Sequence, residues 1–202
     1  MDDQFLQKAY NELIKLKKIP KITILCKNDK KLKTKVLWFF KDSEAFVPLY
    51  YSELHGSRII DESDYLTRKN AKKLLKYIET GDFINLYQKS ESKLLINNIC
   101  LSLKFYEKYL LTNIYDKLIN DTLIWIRNKT PENRFKFNIK FMFGINYYEL
   151  EKKSIYNHLA NNILCQLCIS TEYRQKIINK YNNNDKYSHL VGQVCHDIIC
   201  LK

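Results

Sequence analysis

The chain has 202 residues, enough for one domain or for a small domain with a helical extension, and too few for three domains. With 46% hydrophobic and 28% charged residues it can bury a core and lies far from intrinsic disorder, while four Gly and three Pro exclude a Gly-rich nucleotide-loop architecture and a sandwich of many tight turns. The formal charge of +12 is spread evenly, with 17 Lys and Arg against 11 Asp and Glu in residues 1–80 and the same numbers in residues 81–202, so no basic tail or arm reaches for a polyanion.

In chain order, residues 2–18 set Phe5, Leu6, Tyr10, Leu13, Ile14 and Leu16 at near-helical spacing, with Asp2 and Asp3 at the start and Lys15, Lys17 and Lys18 at the end, which predicts a helix stopping before Pro20. Residues 21–26 are short and β-branched, 27–30 are a polar turn, and a second stretch runs through Leu32 and Thr34; together they predict a hairpin. Residues 36–40 read as a dense apolar helix segment, and Ser43 as the cap of a short second helix carrying Phe46, Leu49 and Tyr50. After a loop at 53–57, Arg58, Ile59 and Ile60 predict a short strand. A helix over 70–79 presents Ala71, Leu74, Leu75 and Ile78 and ends at Thr80-Gly81, with Gly as its C-terminal stop. Ser90 or Ser92 opens a longer helix through Leu94, Leu95, Ile99, Leu103 and Phe105, and another follows with Leu110, Leu111, Ile114 and Leu118. The turn at 130–133 is the best boundary signal. Beyond it Phe135, Phe137, Ile139 and Phe141 alternate with polar residues as in a strand, but the helical context favours helix. Residues 149–168, 171–180 and 188–200 read as helices.

The opening residues carry no basic region followed by an apolar core, so no secretory leader is expected, and runs such as 36–40 and 141–145 are far too short to span a membrane. A cytoplasmic chain follows, with the nucleus also open to it, and the cysteines at 26, 100, 165, 168, 195 and 200 are expected to be reduced core thiols. Richness in Asn, Ile, Lys and Tyr with little Ala or Gly is the style of an AT-rich genome, such as that of a large DNA virus, a protist or an intracellular parasite; a viral chain would act in the host cytoplasm.

Three groups of residues could carry chemistry. Cys165-x-x-Cys168 with His196-x-x-x-Cys200 has the spacing of a four-ligand zinc set, yet the flanks of the first pair read as buried helix, so no metal and no cofactor is expected. Asp61, Glu62 and Asp64 could serve as acid and base, but three carboxylates in a polar loop read first as solvated turn residues. Without a phosphate loop, a nucleophile elbow or a His-Glu-x-x-His pair, an enzyme is disfavoured. Lys27, Lys30, Lys31, Lys33 and Lys35 gather on the hairpin, where they could neutralise nucleic-acid phosphates with Tyr50 and Tyr51 near in sequence; lysine on an edge strand also blocks edge-to-edge association.

The series helix, hairpin, two short helices, strand, helix with a Thr-Gly stop and two more helices resembles the BTB/POZ domain family over about residues 1–120. Leu32 falls at the family's second strand, Trp38 and Phe39 at its apolar pair, and Ser43, Phe46 and Tyr50 at its Ser-x-x-Phe and following aromatic. Leu75, Tyr77, Thr80 and Gly81 match its Leu-x-Tyr-x-Tyr-Thr-Gly helix end, and Leu94-Leu95, Tyr109-Leu110 and Leu118 its later helix pair. Lys21, Lys35 and Glu79 depart from the family's Asp, His and second Tyr; the first two positions help build the charged dimer centre of its well-known members.

The resemblance implies an α+β, mostly helical chain: a small three-stranded sheet flanked by helical hairpins over 1–120, then an all-helical extension over 121–202. It implies a protein–protein interaction module without catalytic residues, self-associating through Phe5, Leu6, Tyr10, Leu13 and Ile22. It also implies docking of a cullin-type ubiquitin-ligase scaffold around Phe46, Tyr50, Tyr51 and Glu53. A basic nucleic-acid-binding protein using the 27–35 hairpin is the alternative.

Overall fold

The structure, a computed structural model, describes residues 3–15, 21–35, 59–87, 92–147, 150, 159 and 162–163. It is a mixed, mostly helical chain with one small three-stranded sheet. The chain separates into two compact units, Met1–Ile124 and Trp125–Lys202.

The first unit opens with helix α1 (Asp3–Lys15). Its exposed polar positions Gln4, Gln7, Lys8, Asn11, Glu12 and Lys15 fall on one face, as the 3.6-residue period requires, with Ile14, 51% exposed, at its border. Strands β1 (Lys21–Cys26) and β2 (Lys30–Lys35) then form an antiparallel hairpin with Cys26 opposite Lys30 and Lys21 opposite Lys35. The turn between them needs left-handed backbone at Asn28 and Asp29, with φ of 60° and 54°, and these two residue types tolerate that region best after glycine. A third strand, β3 (Ile59–Asp61), lies parallel to β1 on its other side, giving the order β2-β1-β3. Strand alternation sends Ile22, Ile24 and Cys26 of β1 and Ile60 of β3 into the core, all 4% exposed or less.

Helix α2 (Arg68–Thr80) adds Ala71, Leu74, Leu75 and Tyr77 on its buried face. Thr67 caps its start by accepting the Asn70 amide, and Gly81 ends it at φ 65°, donating its amide to the Tyr77 carbonyl. A four-residue helix α3 (Ile84–Tyr87), for which the sequence carries no periodic signal, starts where the Asp82 carboxylate accepts the Ile84 amide. Helices α4 (Ser92–Lys108) and α5 (Thr112–Arg127) follow at the expected places. Between them Leu110, expected inside a helix, sits in the turn with φ 53° and 61% exposed. The Leu111 amide reaches back to the Tyr106 carbonyl and the Leu110 amide to that of Glu107, which is the Schellman stop with leucine where glycine is usual, at a backbone cost of about 1–2 kcal/mol.

In the second unit, Pro131 is the first residue of helix α6 (Pro131–Tyr147), where its missing amide costs nothing. Phe135, Phe137, Ile139, Phe141, Met142 and Ile145 are all buried, so the strand-like alternation at 135–141 belongs to a helix surrounded on most sides. Trp125 packs on Phe137 with ring centroids 4.7 Å apart. The expected helices at 36–50, and nearly all of those beyond residue 148, lie outside the described residues.

Candidate functional site

The hairpin sorts its lysines by strand alternation. Ile22, Ile24 and Cys26 face inward, so their partners across the ladder, Thr34, Leu32 and Lys30, share that side. The opposite side of the sheet carries three rows: Lys35 and Lys21; Lys33, Thr23 and Ile59; Lys31, Leu25 and Asp61. The four lysines and Asp61 are exposed, Thr23 and Leu25 are half-buried, and Ile59 is 46% exposed. Of the five lysines read from the sequence, Lys31, Lys33 and Lys35 therefore form one column, Lys30 points to the other side, and Lys27 belongs to the turn. Lys21, Ile59 and Asp61 were missed as members of this face. A period-two reading of all three strands would have found them.

The acidic cluster after β3 divides sharply. Asp61 and Asp64 are exposed, and Asp61 accepts the Ser63 hydroxyl and amide, which hold its carboxyl below the usual carboxylate range. Glu62 is a correction to the solvated-turn reading, since it is 1% exposed. Next in alternation after inward Ile60, outward Asp61 is followed by inward Glu62. Its Oε1 accepts Lys108 Nζ at 2.7 Å and the Tyr109 hydroxyl, both at the end of α4. Its Oε2 and the Tyr65 hydroxyl are both buried, and burial first and the neighbouring Glu62 carboxylate second raise the Tyr65 pKa. The turn is pinned through the backbone as well, by Glu62 N to Leu25 O, Leu66 N to Glu62 O and Lys27 N to Leu66 O. Chemically this arrangement ties β1, β3 and α4 together around one buried charge.

A related cluster closes α2. The Tyr77 hydroxyl donates to Asp121 Oδ2 at 2.8 Å, and Lys117 Nζ reaches the same oxygen at 2.7 Å. Burial and then Asp121 push the Tyr77 pKa up.

Of the residues proposed for self-association, Phe5, Leu6, Tyr10 and Leu13 lie on α1, whereas Ile22 is 1% exposed in the core and is removed from that surface. Phe46, Tyr50, Tyr51 and Glu53, and the zinc candidates Cys165, Cys168, His196 and Cys200, lie outside the described residues. Among the described residues no group of three or more His, Cys, Asp or Glu could hold a metal ion. Cys26 and Cys100 are free, buried thiols whose pKa values are raised by desolvation. No helix among the described residues is long and apolar enough to cross a membrane. Comparison of the chain with protein-family models, curated proteins and solved structures finds no match.

Proposed function

We propose that the chain is a protein–protein interaction module of BTB/POZ-like build, which self-associates through α1 or docks a cullin-type scaffold. The observation that carries this reading is the run of elements in the first unit: a hairpin joined by a third strand in one sheet, a helix stopped at Thr80-Gly81, and the pair α4 and α5 after it. These elements are part of the series on which the family resemblance rests, whose two short helices at 36–50 lie outside the described residues, and Gly81 supplies its sharpest element through a left-handed stop. The test is light scattering on the purified protein together with binding to a cullin amino-terminal region. A dimer dissolved by Leu6→Asp with Leu13→Asp, or scaffold binding lost on Tyr51→Ala with Glu53→Ala, supports the reading. A strict monomer without cullin affinity overturns it.

A further inference from the structure

We propose that the outward face of the sheet is a docking surface for an acidic, extended protein segment whose carboxylates alternate with apolar residues. This goes beyond the BTB/POZ-like reading and does not depend on it. Lys31, Lys33 and Lys35 repeat every second residue of β2, so their Cα atoms stand about 7 Å apart along the strand, the same repeat at which an extended chain presents alternate side chains. Lys21 extends the column across to β1. The ion pairs at Lys108 and Lys117 do not involve these four lysines, none of which has an acidic partner among the described residues. Their charge is thus unmatched within the described chain, and long-range attraction brings in an acidic partner.

The other half of the face decides which acidic partner fits. Beside the lysine column lie half-buried Leu25 and Thr23, then Ile59 at 46% exposure, so a basic border flanks an apolar strip. An apolar centre with a charged rim is the anatomy of a protein interface. Nucleic acid is served less well: among the described residues the face holds no arginine fork for phosphate and no aromatic ring for stacking a base, and Asp61 at its corner repels phosphate. The aromatic pair Tyr50 and Tyr51, invoked for stacking from the sequence, lies outside the described residues.

The experiment measures fluorescence anisotropy of a labelled peptide alternating Glu with Val, a copy with every Glu replaced by Gln, and a random-sequence DNA duplex, each titrated with the full chain. The Glu–Val peptide is expected to bind at low salt and the Gln copy at least tenfold more weakly. Lys31→Glu with Lys33→Glu and Lys35→Glu should abolish Glu–Val binding, while Ile59→Ser weakens it several-fold without changing its salt dependence. All substituted positions are exposed, and circular dichroism checks that each variant folds. Equal binding of both peptides, tighter binding of the duplex, or an affinity untouched by the triple charge reversal overturns the proposal. These outcomes leave oligomeric state and scaffold binding unaffected, so failure here is distinct from failure of the BTB/POZ-like reading.

Discussion

Two carboxylates in the first unit receive the same pair of donors, one lysine and one tyrosine, and differ in where they stand. Glu62 has a side chain with no exposed surface and binds Lys108 and Tyr109; Asp121 is 24% exposed and binds Lys117 and Tyr77. Around Asp121, water shares the solvation and screens the charges, so each contact contributes little on its own. Around Glu62 there is no such substitute, and removing any donor leaves charge or hydroxyl stranded in a medium that penalises it. The same donor set is therefore an adjustable surface tie in one place and a fixed requirement in the other.

The largest effect separates the two directly. Glu62→Ala strips the acceptor from Tyr109 and the neighbour from Tyr65, leaves Lys108 to the solvent, and should lower stability by about 1–3 kcal/mol in urea unfolding. Asp121→Ala should cost clearly less, and equal losses would break the comparison. Alkaline pH tests both sites together. Tyr65, Tyr77 and Tyr109 all have pKa values raised above 10, so the folded chain keeps protons that the unfolded chain gives up. Stability from these groups is complete below pH 10 and should fall as pH rises beyond it, and Tyr109→Phe should shallow that fall when unfolding is followed against pH.

Smaller effects sharpen the contrast on the Asp121 side. A methyl at Gly81 would stand 3.2 Å from Lys117 Cε on backbone at φ 65°, so Gly81→Ala should cost about 1–2 kcal/mol by thermal or urea unfolding. Tyr77→Phe loses one hydrogen bond while Lys117 still holds the carboxylate, a loss of about 1 kcal/mol that Tyr109→Phe should exceed. Lys117→Ala removes an exposed pair four residues apart on one helix, and should change stability by about 0.5 kcal/mol or less.

Legibility in the sequence followed locality. The hairpin, β3, the stop at Gly81 and helices α4 and α5 were all readable, because each depends on residues adjacent in the chain. Helix α3 was not, since four residues give no period to detect. Phe135 to Phe141 looked like a strand because a helix buried on most of its sides loses the contrast on which periodicity depends. Glu62 was read as solvated from its polar neighbours Asp61, Ser63 and Asp64. Its donors lie 46 and 47 residues away, where no local signal reports them. Of the candidate docking face, the lysine column was legible and its apolar half was not, because Ile59 joins it only through the parallel pairing with Thr23.

That parallel pairing also orders events in time. A hairpin with a three-residue turn closes a short loop and forms within about 1–10 μs, whereas the β1–β3 contact must first close the long connection between the two strands. The lysine column, with Leu25 and Thr23 beside it, therefore exists in the folding chain before Ile59 and Asp61 join it, and the outer third of the face is set only when β3 pairs.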